Sequence, residues 1–156
     1  MGLNFKRAWE NILPFARFLC ALHVTSTYIC KLTLVYGTSM LPTISPSGEL
    51  LLAERISPRF GKVGAGDIVL VRSPEEPCKV VTKRVKGIEG DRVTYIADPV
   101  NSDRQEITVV PEGHVWVEGD NIYTSIDSRK FGAVPYAMIH SRIFWRMLPV
   151  RRFGPL

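Results

Sequence analysis

Lys79-Val80-Val81-Thr82-Lys83-Arg84-Val85 is rich in β-branched residues and reads as a strand, in which side chains alternate between the two faces. Lys83 therefore shares a face with Val81 and Val85, and Arg84 points the other way. Lys79 falls on the Lys83 face too, but beside the Pro77-Cys78 loop, where hydration is easier to keep. Runs of the same kind lie between glycine and proline turns at Glu49 to Arg55, Asp67 to Arg72, Arg92 to Ile96, Glu106 to Val109, Val115 to Glu118 and Ile139 to Trp145. Together they predict a mainly β, antiparallel fold. Ser45-Pro46-Ser47-Gly48, Ser73-Pro74-Glu75-Glu76-Pro77 and Ala97-Asp98-Pro99-Val100-Asn101-Ser102-Asp103 read as turns and loops.

Lys83 gains its interest from a second stretch, Tyr36-Gly37-Thr38-Ser39-Met40-Leu41-Pro42-Thr43. Ser39 follows the strand-like run Leu32-Thr33-Leu34-Val35-Tyr36, and Pro42 biases Leu41 toward an extended conformation, which places the Ser39 hydroxyl at a turn off a strand edge. A nucleophilic serine needs a group to take its proton, usually a histidine. Here His23 lies in an apolar N-terminal run, and His114 and His140 have no neighbouring feature that selects them as bases. A lysine serves instead only when neutral, which requires lowering its pKa from about 10.4 by removal from water. The apolar face of the Lys83 strand supplies that environment. Taken singly, Lys83 is a surface lysine and Ser39 a turn serine; the pair of motifs is what makes them a candidate dyad.

The Ser-Met-x-Pro-Thr box at Ser39, with Lys83-Arg84-Val85-Lys86-Gly87-Ile88-Glu89-Gly90-Asp91, resembles the type I signal peptidases. Gly66-Asp67-Ile68-Val69, and Gly119-Asp120-Asn121 with Ser125-Ile126-Asp127-Ser128-Arg129-Lys130-Phe131-Gly132, are similar to two further boxes of that family in the right order. The resemblance covers most of the chain, and its short length suits the mitochondrial inner-membrane branch in a plant-like version. It implies a signal-peptidase-like β domain in which Ser39 is the nucleophile and Lys83 the general base. It further implies that Ser125 orients the lysine amine and that Asp127 and Arg129 brace the site, with Arg84 joining them from the opposite face. The backbone N–H of Ser39 is the available oxyanion donor. Many bacterial members carry a serine two residues before the nucleophile as a second donor; here that position is Gly37, and Thr38 is the neighbouring candidate. A substrate peptide adds as a strand in such sites, which puts Met40 and Leu41 beside the cleft, near the lipid.

At 156 residues the chain has room for one core, with roughly 120 residues beyond the N-terminal segment. About thirty residues separate Asp91 from Asp120, too few for the inserted β-domain usual in bacterial members. Residues 1–35 read as a targeting or membrane-anchor segment and 36–156 as the catalytic domain. Phe18 to Cys30 carries no charge, and the wider run Ile12 to Tyr36 spans a bilayer if Arg17 and Lys31 snorkel. Lys6, Arg7 and Arg17 precede the segment, so the positive-inside rule leaves the N-terminus inside and the catalytic domain outside, in the intermembrane space for a mitochondrial protein. An interfacial amphipathic helix and a cleaved targeting peptide are the alternatives.

The net charge of +5 is spread along the chain without a nucleic-acid motif. The tail arginines Arg142, Arg146, Arg151 and Arg152 read as a solvated or lipid-facing patch. Cys20 and Cys30 fall in the anchor and Cys78 in a loop, so neither zinc spacing nor a disulfide framework is expected. No metal or cofactor is expected, as suits a hydrolase using water alone. The favoured function is a membrane-bound serine endopeptidase that removes presequences from precursor proteins delivered to the intermembrane space. The resemblance also implies a hetero-oligomer with a homologous peptidase subunit. Two other classes stay open: a non-catalytic membrane subunit that stabilises a peptidase, and a self-cleaving repressor-type protein. The latter would need a DNA-binding helix-turn-helix where this chain has an anchor-like segment.

Overall fold

The computed structural model describes residues 2–99 and 104–156; positions 100–103 of the Ala97–Asp103 loop lie outside the described residues. Helix α1 (Gly2–Val24) passes through one π turn (Thr25–Ile29) straight into β1 (Cys30–Val35). There follow β2 (Glu49–Glu54), α2 (Ile56–Arg59), β3 (Ile68–Arg72), β4 (Val80–Ile88), β5 (Arg92–Ile96), β6 (Gln105–Val109), β7 (His114–Glu118), α3 (Ser128–Phe131), β8 (Val134–Pro135), β9 (Ile139–Leu148) and β10 (Gly154–Pro155). One antiparallel sheet runs β1-β2-β9-β3-β4-β7-β8, with β10 against β9, and β5 and β6 form a separate hairpin. The mainly β, antiparallel expectation is met.

Strand β3 shows why the sheet has two cores. Ile68, Val69, Leu70 and Val71 are all buried, the pattern of a strand covered on both faces. Ile68 and Leu70 pack with Met40, Ile44, Leu51, Ala53 and Ile143. Val69 and Val71 pack with Val63, Val85, Val115, Val117 and Val134 on the other side. The hairpin joins through a smaller cluster of Val93, Val110 and Trp116. Gly87 of β4 lies beneath it, where an added Cβ would come 2.5 Å from Val93 Cγ2.

Strands β2 to β7 and β9 each overlap a strand read from the sequence, β5 with the same ends and the others with one or both ends shifted. β4 runs three residues past Val85 because a bulge between Val85 and Gly87 lets it keep pairing with β7. The apolar run Ile12–Tyr36 divides in two. Ile12–Ile29 is helical and long and apolar enough to cross a membrane, whereas Cys30–Val35 pairs along its whole length with β2.

Arg142 and Arg146 depart from the solvated patch expected of the tail arginines, whereas Arg151 and Arg152 are exposed as expected. Arg142 lies 3.0 Å from Glu54 and 3.6 Å from Asp67. Arg146 Nε lies 2.6 Å from Oε2 of Glu49, whose side chain is wholly buried, and Arg152 reaches Oε1 of Glu49 at 3.6 Å. Glu49 opens β2 on the buried phase of its alternation, so its charge enters the interior and requires a partner. Removing one member of a buried pair strands the other charge. Arg146→Met is therefore expected to lower the unfolding free energy by about 3 kcal/mol, read from urea denaturation of the detergent-solubilised protein. Adding Glu49→Leu to it should recover much of the loss.

Candidate active site

The β4 alternation buries Lys83 to 3% exposure among Val85 and the β3 and β7 valines, although lysine is seldom buried without a partner. Its Nζ donates a hydrogen bond to Ser125 Oγ at 2.6 Å. The Ser125 hydroxyl in turn hydrogen-bonds the Asp127 carboxylate. Asp127 is held by the Gly119 amide at 2.8 Å and by two bonds from Arg129, Nε at 2.8 Å and Nη2 at 2.6 Å. The Asp127 and Arg129 side chains are 0% and 5% exposed, so this is a desolvated fork-to-fork pair.

These charges set the state of the amine. Desolvation, the largest effect, pushes the Lys83 pKa down; Asp127 pushes it up and Arg129 down again. Arg129 opposes the effect of Asp127, and burial decides the direction. Asp127 itself stays ionised, because the bonds from Arg129, Ser125 and Gly119 outweigh its own desolvation.

Ser39 lies in the turn that follows β1. Five hydrogen bonds hold that turn. The Asn121 amide donates to the Ser39 carbonyl at 3.0 Å, and Asn121 Nδ2 to the Thr38 carbonyl at 3.2 Å. Thr43 Oγ1 donates to Asp120 at 2.6 Å, while Arg146 Nη2 donates to the Thr43 carbonyl at 2.6 Å. The Ser45 amide donates to Glu49 at 2.9 Å. Gly119 seats the turn against Ser125: a Cβ there would overlap both Ser125 Oγ and the Ser39 carbonyl oxygen. Gly37 has φ +116°, a conformation that a residue with a Cβ rarely adopts. The backbone thus accounts for glycine at this position.

Ser39 and Lys83 line one cleft of about 530 Å³, which crosses the sheet face from β1 to β4 over Leu70 and Ser141 and is walled by Leu34, Val35, Met40, Val81 and Ile126. The placements of the other expected residues are mixed. Met40 lines the cleft but is 2% exposed and belongs to the core. Leu41 is half-buried and does not line the cleft. Lys79 lies at the cleft mouth, exposed, with its amine 3.1 Å from Glu76. Arg84 does not join Asp127 and Arg129. It makes a two-bond fork with Asp120 at 2.8 and 2.7 Å, and its Nη1 donates to the Gly66 carbonyl. Asp120, Thr43 and Asn121 hold the turn, yet the sequence reading gave them no role. The signal available was Asp120 and Asn121 in the glycine-led motif, since carboxylates and amides in such turns bond local backbone.

A family model described as signal peptidase, peptidase S26, matches residues 8–108 and 98–148. The chain is 53% identical over 151 residues to the mitochondrial ATP-independent inner membrane protease subunit 1a of Arabidopsis thaliana, covering 97% of this chain and 90% of that protein. It is 38% identical over 154 residues to the mitochondrial inner membrane protease subunit 1 of Homo sapiens, covering 99% and 89%. With the mitochondrial inner membrane protease subunit 2 of Schizosaccharomyces pombe it shares 32% identity over 154 residues, covering 97% and 83%.

Because Arg129 opposes Asp127, neutralising it leaves a carboxylate acting alone on the amine. Arg129→Gln is expected to raise the Lys83 pKa, moving its titration to higher pH in the NMR spectrum of lysine-labelled protein; an unmoved midpoint would refute the charge-cancelling role.

Proposed function

The chain belongs to the signal peptidase family, peptidase S26, and is a serine peptidase of the signal peptidase I type; from that membership we propose that Ser39 and Lys83 are its catalytic dyad. The observation that carries the proposal is the buried Lys83 amine, its pKa lowered by desolvation and its Nζ held 2.6 Å from Ser125 Oγ, on the wall of the cleft that Ser39 also lines. A neutral amine so placed takes the Ser39 proton as the oxygen attacks a scissile carbonyl. The Ser39 N–H stabilises the developing oxyanion. Lys83, now protonated, gives its proton to the leaving amine, and an acyl group remains on Ser39. It then activates water to release that group. Ser125 holds the amine through both halves of the reaction, and Asp127 with Arg129 keeps Ser125 oriented. Arg84, through Asp120 and Thr43, positions the turn that carries Ser39.

Among the described residues the outer edge of β1 has no strand partner in the sheet, and β1 residues line the cleft, which supports recognition of an extended peptide as an added strand. The substrates in this reading are presequences of precursors delivered to the intermembrane space. Residues 1–35 contain the anchor in the mitochondrial inner membrane, the catalytic domain 36–156 faces the intermembrane space, and a homologous subunit is its partner. The names of the relatives, among which both a subunit 1 and a subunit 2 occur, support this reading.

The test is cleavage of intermembrane-space presequence peptides by detergent-solubilised full-length protein, with and without a homologous subunit. Ser39→Ala and Lys83→Met are each expected to lose roughly a thousandfold or more in kcat. The base works deprotonated, so wild-type activity should rise with pH through a midpoint below the ordinary lysine value of about 10.4. Retention of rate by Lys83→Met would remove the lysine from the mechanism.

A further inference from the structure

A second cavity, of about 420 Å³, opens between α2, the end of β3, the start of β4 and the segment leading into β9, beside the last turn of the N-terminal helical run, and it has no part in the chemistry proposed above. Arg55, Arg59, Arg72 and His140 line it, and no carboxylate does. None of these three arginines reaches a carboxylate among the described residues, whereas Arg84, Arg129, Arg142, Arg146 and Arg152 each do. A concave surface lined by one sign of charge concentrates the opposite sign. His140 adds a neutral donor. Arginine can only donate, so the 2.6 Å contact from Arg55 Nη2 makes His140 Nε2 the acceptor and leaves the ring proton on Nδ1. Desolvation and the charges of Arg55, Lys31 and Arg72 hold the His140 pKa below its usual value, which keeps the ring neutral.

The location specifies what kind of anion. Arg55 Nη1 donates to the Thr27 carbonyl at 2.5 Å, and Arg59 Nη1 to the Tyr28 carbonyl at 3.3 Å. Both carbonyls belong to the last turn of the apolar helical run Ile12–Ile29. The Arg59 guanidinium also sits 5.5 Å from the centre of the Tyr28 ring. Tyr28 is exposed, and so are Ile56 and Phe60 at the two ends of α2. Exposed aromatic and apolar side chains around unpaired arginines, at the end of an apolar helix, match the layering of a bilayer surface. There apolar groups face the acyl boundary and cations lie at the level of the phosphates. Guanidinium forks also suit phosphate oxygens geometrically.

We propose that this cavity binds the phosphate of an anionic phospholipid headgroup, with Arg59 and Arg72 as its charged contacts and Arg55 and His140 completing the donor set. The proposal rests on the membrane anchoring of α1 proposed above. It is tested on full-length protein in dodecyl maltoside, titrated with dihexanoyl phosphatidylglycerol, dihexanoyl phosphatidylcholine or inorganic phosphate, with the thermal unfolding midpoint as readout. The midpoint is expected to rise saturably with phosphatidylglycerol and not with the other two. Arg59→Gln and Arg72→Gln, both at exposed positions outside the Ser39 cleft, should each weaken that response about fivefold, the weight of one basic side chain at an anionic surface. Both variants should cleave presequence peptides at the wild-type rate in the absence of anionic lipid.

An equal response to phosphatidylcholine, or an unweakened response in both variants, overturns the site. A response to inorganic phosphate as strong as that to phosphatidylglycerol makes it a free-anion site and overturns the lipid assignment. Carbonate extraction of membranes carrying the full chain separates the two readings. A carbonate-resistant protein with no arginine-dependent shift refutes the headgroup site alone, and a carbonate-released protein that keeps the shift refutes the anchor alone.

Discussion

Keeping the Lys83 amine out of water is the constraint on which the rest of the site depends. An ammonium in the interior is costly, and the protein can either compensate its charge or let it go neutral. A single carboxylate beside the amine would compensate it and leave a cation useless as a base. The carboxylate that is present, Asp127, is matched by Arg129, and a serine hydroxyl stands between it and the amine. The lysine therefore has a hydrogen-bond partner and a carboxylate opposed by a guanidinium, and desolvation is the largest influence on its protonation. That arrangement requires both β3 and β7 flanking β4, because their valines provide the dry walls.

The register of β4 carries a second obligation. Lys83 and Arg84 are consecutive, so the pleat sends one into the cleft and the other toward Asp120 and Thr43. A one-residue slip would exchange the two and place a guanidinium, which stays charged, where the proposed mechanism calls for a neutral amine. The same pairing that positions the amine thus also ties down the turn of Ser39. Asp120 and Asn121 strengthen the coupling, since they follow β7 directly and reach Thr43, Thr38 and the Ser39 carbonyl. Relative placement of Ser39 and Lys83 is therefore set by the neighbouring strands β4 and β7 and the segment that follows, although 44 positions separate the two in sequence.

Much of this was legible from local chemistry. Strand positions followed from β-branched runs between turn residues, and the burial of Lys83 followed from alternation against Val81 and Val85. The sheet order did not, because β9, last in sequence among the long strands, inserts between β2 and β3, a pairing no local pattern specifies. The partner of each arginine was equally hidden. Arg84 and Arg129 both looked able to brace one carboxylate, but the fold gives each its own. Arg146 looked like a surface charge until Glu49 entered the core on the buried phase of β2. Alternation predicts which side of a strand a charge lies on, and only the three-dimensional pairing says what waits there.

The join between helix and sheet fixes a further relation. No linker separates them: the π turn ends at Ile29, β1 begins at Cys30, and β1 pairs with β2 along its whole length. The Arg55 amide and the side chains of Arg55 and Arg59 bond the carbonyls of Ile29, Thr27 and Tyr28, so the last turn of the helix is held by the domain rather than left to pivot. Flexible connections are what allow a domain to reorient relative to its anchor. With α1 in a bilayer, the strand that walls the cleft starts at the membrane surface and the cleft mouth keeps a fixed tilt to it. Under the proposed function, a precursor segment presented at that surface would meet the β1 edge within a few extended residues.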